Sequence, residues 1–321
     1  MYKFTPILKS MLWGGNKIAP YKGIAAEQER IGESWELSGV AGNVSVVAEG
    51  PDAGMTLEEL LAREKERLLG RKNFERFGCT FPLLVKFIDA RLDLSIQVHP
   101  NDTLARKRHG TNGKTEMWYV IAADEGARLY SGFRRPVTPQ TYEASLAADT
   151  LTELLAAHPI AAGDVFYLPA GRIHSLGAGS FVAEIQQTSD LTYRIYDYNR
   201  RDTDGNLREL HTELAKEAID YSTEAEYRTQ YDRRQEGETP LVACPHFSTS
   251  LLDLTRPYTL DRTASDSFLV VICIEGHGIL ADGQGRRMLL HQGETILVPA
   301  SARTLEITPE VPLKLLTSWI D

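Results

Sequence analysis

"AAGDVFYLPAGRIHSL", residues 161–176, returns in altered form as "HQGETILVPASARTLEI", residues 291–307. Gly163 matches Gly293 and Pro169 matches Pro299. A second pair lies upstream: "MWYVIAADEGARLYSG" (117–132) and "FLVVICIEGHGILADG" (268–283), with Glu125-Gly126 set against Glu275-Gly276. All four segments are rich in β-branched and aromatic residues and are punctuated by Gly or Pro, the composition of short strands joined by turns. A repeated strand–turn pattern is most simply one β unit used twice. Gly163 follows Glu125 by 38 residues, whereas Gly293 follows Glu275 by 18. The surplus falls on "TPQTYEASLAADTLTELLAAH", 138–158, whose period turns helical and reads as two short helices. The expected fold is therefore mainly β: two jelly-roll β-barrels with a small helical insertion in the first. The charge-rich stretch 210–235 reads as a helix and a linker, which divides the chain into 1–235 and 236–321.

The rest of the chain fits this outline. "MTLEELLAREKERLLG", 55–70, reads as a helix with Thr56 as N-cap, Glu59 completing a capping box and Gly70 as the stop. The 321 residues have an ordinary apolar content and 25% charged residues, as in globular proteins. No apolar run approaches the roughly 18 residues of a membrane span. The N-terminal "MYKFTPILKSMLWGG" lacks a signal peptide's long apolar segment. Cys79, Cys244 and Cys273 fit no metal or disulfide spacing, which favours a reducing cytoplasm. A net charge of −9 argues against nucleic acid as a partner, but a small anion needs only a local cationic pocket.

"SIQVHPND", 95–102, begins as a strand and ends as a turn. Strand side chains alternate, so Ser95, Gln97 and His99 share one face and Ile96 and Val98 the other. A polar face needs water, a hydrogen-bond network or a metal. Gln97 and His99, with Glu116 and His174 from other strands, could point into one barrel and hold a divalent ion with positions left open. The repeat acts as a control. At the upstream spacing Gln97, His99 and Glu116 fall on Phe247, Thr249 and Asp266; at the downstream spacing His174 falls on Thr304. The second copy keeps the turn residues and loses the polar set, so fold alone does not require that set.

"SIQVHPND", "GKTEMWYVI", "FYLPAGRIHSLGAG" and "QQTSDLTYRIYDYNR", together with "WGG" and "IGESWELSG", resemble the signature segments of the type I mannose-6-phosphate isomerases, which are cupin-fold metalloenzymes. The resemblance spans essentially the whole chain and is closest to the short bacterial form, which lacks a large helical insertion. It implies interconversion of mannose 6-phosphate and fructose 6-phosphate through a cis-enediol(ate). It also implies one Zn2+ held by Gln97, His99, Glu116 and His174, although other divalent ions suit such a site.

The matching motifs also carry Arg194, Lys114, Glu184 and Asp190. Arg194 is expected to stabilise the enediolate or orient the substrate, and Lys114 to assist proton movement at the sugar oxygens. Glu184 or Asp190 is expected as the proton-transfer base. Bland readings stand beside these: Arg194 as the ion-pair partner of Asp190 or Asp197, and Glu184 as the partner of a ligand histidine. Arg172 is a candidate phosphate anchor or an exposed loop residue. Lys86, inside "LLVKFIDA", is unassigned. Trp13 and Trp35 read as structural aromatics; His109, His158, His211, His246, His277 and His291 read as surface or loop residues. The expected partner is a phosphosugar, with no nucleic acid and no membrane, for a monomer or homodimer. Three other classes compete. A non-catalytic sugar-binding cupin would dispense with Arg194 or Lys114. A cupin oxygenase would use iron and dioxygen. A storage-type double cupin would bind no metal.

Overall fold

The computed structural model describes residues 1–25, 29–201 and 205–321. Its first half contains two facing sheets. One runs in the order Val165–Leu168, Glu116–Ala123, Ser180–Gln187, Leu83–Ala90, continued by Ile7–Gly15 and Ile31–Leu37. The other runs Leu155–Pro159, Arg128–Phe133, His174–Leu176, Ile96–Val98, Tyr193–Tyr196. The second half repeats both orders. Thr295–Val298, Leu269–Glu275, Leu313–Trp319 and Phe247–Leu254 match the first sheet. Arg287–His291, His277–Asp282, Thr304–Pro309 and Tyr258–Asp261 match the second. The protein is mainly β, and the duplication visible in the glycines and prolines is a duplication of strand order.

The halves are not independent. Tyr2–Lys3 pairs with Thr295–Val298 in the second half. One apolar core joins Val85, Phe87, Met117 and Ala183 to Phe247, Val270, Ile272 and Leu316. Alternation then dictates what faces the other way. On Leu83–Ala90, Glu116–Ala123 and Ser180–Gln187, the residues next to those core positions include Lys86, Glu116, Trp118 and Glu184. They turn into the interior of the first half.

Helix Leu57–Glu64 carries the expected capping box between Thr56 and Glu59. It breaks at Lys65, and Glu66–Leu69 completes the segment. Gly70 is required: a Cβ there would stand 2.0 Å from the Asp266 carbonyl oxygen, at φ +88°. The insertion differs from expectation. Pro139–Ala147 is a helix, but the second predicted helix is a 3-10 turn, Leu151–Leu154, followed by the strand Leu155–Pro159. Leu151, Leu154 and Leu155 are all buried in one core, so tertiary packing and pairing with Arg128–Phe133 override the helical period. After helix Thr212–Ala218, no further helix or strand occurs among the described residues before Gly237.

Candidate metal and substrate site

The strand Ile96–Val98 sits between His174–Leu176 and Tyr193–Tyr196, with Gln97 opposite both His174 and Arg194. Ile96 and Val98 join an apolar core with Tyr130 and Phe133. The other face turns inward: Ser95 and Gln97 line a cavity of about 310 Å3. His99, Glu116 and His174 converge beside it, fully buried, their candidate ligand atoms within 4.8 Å of one another.

The main chain sets both rings. His99 Nδ1 donates to the Leu191 carbonyl at 2.9 Å, and His174 Nδ1 donates to the Arg172 carbonyl at 2.7 Å. A carbonyl only accepts, so each Nδ1 carries the proton and each Nε2 presents a lone pair to the site. His174 Nε2 is 3.1 Å from Glu116 Oε1, and His99 Nε2 is 3.4 Å from Oε2. Neither Glu116 oxygen receives a well-directed hydrogen bond. A buried carboxylate in that state is unusual, and two imidazole lone pairs facing it make a donor set suited to a divalent ion. The Gln97 amide head lies 3.4 Å from His174 Nε2, close enough for its carbonyl to join the set when turned.

Lys114 supplies the nearest positive charge. Its Nζ is 3.0 Å from Glu116 Oε2 and 3.1 Å from His99 Nε2. Burial and the Lys114 ammonium push His99 down to about 3, so its ring is neutral at physiological pH. Burial alone would raise Glu116, but Lys114, His99 and His174 outweigh it and hold that carboxyl well below its usual range.

The sheet that carries Glu116 also presents a second charged group. Lys86 Nζ lies 3.3 Å from Glu184 Oε1 and 3.8 Å from Glu33 Oε2. Glu184 Oε2 accepts from Trp118 Nε1 at 2.7 Å, and Glu33 Oε2 accepts from Trp35 Nε1 at 2.6 Å. Burial opposes the charge of Lys86, yet Glu33 and Glu184 keep it raised above the usual lysine value. Asp190, Arg194 and Arg208 also line the cavity, Asp190 being exposed. Burial, followed by the charge of Arg208, lowers the Arg194 guanidinium from its ordinary value.

Two family models match this chain: the phosphomannose isomerase type I catalytic domain over residues 1–125, and the mannose-6-phosphate isomerase cupin domain over 237–315. Mannose-6-phosphate isomerase ManA of Bacillus subtilis is 36% identical over 300 residues, covering 90% of this chain and 92% of that protein. The chain belongs to the type I mannose-6-phosphate isomerase family. Another relative, the mannose-6-phosphate isomerase of Streptococcus mutans, is 34% identical over 303 residues, covering 94% of this chain and 93% of its own. A crystal structure of the Bacillus subtilis mannose 6-phosphate isomerase superposes with a TM-score of 0.88 at 32% identity, covering 99% and 98% of the two chains.

Set against this type I isomerase scaffold, the eight predicted site residues come together: Gln97, His99, Glu116 and His174 at the cluster, and Lys114, Glu184, Asp190 and Arg194 around the cavity. Several bland readings fall. Asp197 takes Arg200 and Arg208 rather than Arg194, whose Nη1 donates to the Glu209 carbonyl. Glu184 bonds Trp118 and Lys86, not a histidine. Arg172 is neither exposed nor among the cavity's lining; its guanidinium pairs with Glu224 and lies over Tyr227. Trp13 lines the cavity, while Trp35 does not. His158 sits on a strand and contacts the Ser131 carbonyl.

Sequence reading missed Lys86, Glu33, Trp118 and Arg208 as cavity residues. The one signal was a lysine inside an apolar strand. Strand pairing also shifts the internal match. Thr304 faces Asp261 as His174 faces Gln97, and Leu269 faces Val298 as Glu116 faces Leu168. The counterparts of Gln97 and Glu116 are thus Asp261 and Leu269, not Phe247 and Asp266. Among the described residues, helix Asp102–His109 and a longer hairpin after Ala123 occur in the first half and not at the matching places of the second, which explains the slip. The second copy still offers no histidine or carboxylate cluster at these places among the described residues.

Proposed function

We propose that the protein interconverts mannose 6-phosphate and fructose 6-phosphate, with a divalent ion, zinc by family expectation, held by His99, Glu116, His174 and Gln97. The observation that carries this is the three-residue cluster facing Lys114 at the edge of a cavity that also holds Lys86, Glu184 and Arg194. When bound, the ion supplies Lewis acidity toward the sugar's C1 and C2 oxygens.

The chain's own groups do the rest. Proton transfer from C2 to C1, with the hydroxyl proton passing from O2 to O1, needs a carboxylate and a nearby proton donor. Glu184 is placed for the carbon-bound proton: it is buried in the wall with Oε1 free of a directed hydrogen bond, whereas Asp190 is exposed. Lys114 is placed to move protons at the sugar oxygens, and Lys86 stabilises negative charge beside Glu184. Arg194 and Arg208 give the phosphate its cationic end.

The two halves are read as jelly-roll cupin barrels divided near residues 235/236, the second lacking the ligand set. Location in the cytoplasm and a monomeric or dimeric state belong to the same reading; no helix among the described residues is long and apolar enough to cross a membrane. The test is fructose 6-phosphate formation from mannose 6-phosphate with oxygen uptake followed alongside. Isomerisation without oxygen uptake supports this function. Binding of metal with no isomerisation returns the sugar-binding class, and oxygen uptake returns the oxygenase.

A further inference from the structure

We propose that Gln187 and Asp102 are positioning residues that clamp the segment carrying Lys114, a role that rests on the isomerase reading above. Three successive main-chain amides of that segment are each held from outside it. Gly113 N donates to Asp102 Oδ1 at 2.8 Å. Lys114 N donates to the Pro100 carbonyl at 3.3 Å. Thr115 N donates to Gln187 Oε1 at 2.8 Å. The two side chains are themselves joined, Gln187 Nε2 donating to Asp102 Oδ1 at 3.2 Å. Gln187 N also donates to the Thr115 carbonyl at 3.0 Å.

The approach is close at Gly113. A Cβ on Gly113 would stand 2.5 Å from Asp102 N and 2.6 Å from the Asn101 carbonyl carbon, so the two stretches touch main chain to main chain. The clamp therefore fixes the stretch after His99 against the stretch before Glu116. Lys114, between the clamped amides of Gly113 and Thr115, reaches both residues with one ammonium. Neither Gln187 nor Asp102 lines the substrate cavity; both line a separate cavity of about 230 Å3, with His246 and Ile320 from the second half. They act on chemistry only through the main chain of 113–115. Misplacing a catalytic group by about 1 Å can cost on the order of a hundredfold in rate.

The experiment uses the full-length, metal-loaded protein with four variants. Gln187→Met keeps the side chain's length and removes both hydrogen bonds of its side-chain amide. It should lower kcat about tenfold to a hundredfold, with KM for mannose 6-phosphate within about threefold and the thermal midpoint little changed. Hydrogen exchange in a peptide spanning 110–116 should quicken. Asp102→Ala should behave the same way. Asp102→Asn retains the accepting oxygen and should stay within about twofold of the parent. Combining Gln187→Met with Asp102→Ala should cost no more than either alone, as expected of one connected unit. The clamp is overturned if Gln187→Met leaves kcat and exchange unchanged, if its loss only tracks the unfolded fraction, or if Asp102→Asn is as poor as Asp102→Ala. If the parent protein does not isomerise mannose 6-phosphate, the functional reading fails instead, and the exchange arm still decides the clamp.

Discussion

The rings of His99 and His174 stand 4.9 Å apart, and each is turned by a main-chain carbonyl so that its Nε2 faces Glu116. This arrangement predicts a metal site that depends on both rings. The purified protein should carry a divalent ion at close to one per chain, and His99→Ala or His174→Ala should carry far less, read by elemental mass spectrometry. Chelation should lower the thermal midpoint of the parent, because an ion bound only to the native state stabilises it by mass action. Equal metal content in parent and variants would count against this assignment.

Lys86 and Glu33 predict a reversal in the pH dependence of stability. Burial alone would raise Glu33, but Lys86 and the Trp35 hydrogen bond leave its folded pKa lowered. A lowered carboxyl contributes stability that is present above the unfolded value of about 4.5 and is lost as pH falls through the folded value. Lys86→Met removes the compensating charge and leaves burial dominant. The variant should lose about 3–5 kcal/mol near neutral pH, and its deficit should shrink as pH falls and the carboxyls protonate. Urea unfolding of parent and variant at several pH values measures this. A deficit independent of pH would show that Lys86 contributes packing alone.

Glu184 and Asp190 face the same cavity with different exposure. Glu184→Gln should reduce kcat by about a hundredfold or more, the usual scale for loss of a positioned base. Asp190→Asn should cost much less. Steady-state rates, with circular dichroism to confirm folding, separate the two; the opposite order would move the base to Asp190.

Arg208 lines the cavity together with Arg194 and is held by both oxygens of Asp197. Arg208→Ala should raise KM for mannose 6-phosphate by about tenfold while changing kcat little, as for an interaction made equally in ground and transition states. A fall in kcat at constant KM would instead place Arg208 at the reacting carbons.

Much of this architecture was legible because it is local. Glycines and prolines marked the repeat, the period-two pattern of Ser95, Gln97 and His99 marked an inward polar face, and Thr56 with Glu59 marked a helix start. What could not be read depends on pairing between distant segments. Lys86 becomes a cavity residue because it lies opposite Glu184 on the neighbouring strand. Gln187 gains its role from Thr115 and Asp102, far away in sequence. The apolar run near residue 151 was misread as a helix because its local period is helical; burial of Leu151, Leu154 and Leu155 and strand pairing beside Arg128–Phe133 decided it. Arg172 was misplaced because its partner, Glu224, lies in a region with no pattern to read.

The most direct measurement is formation of fructose 6-phosphate from mannose 6-phosphate by the parent protein, after treatment with EDTA, after zinc is restored, and by His99→Ala. Activity that falls with chelation, returns with zinc and is absent from the folded variant is the predicted result. Undiminished activity in fully metal-free protein, or in His99→Ala, would contradict the central claim that this cluster holds the ion that isomerisation requires.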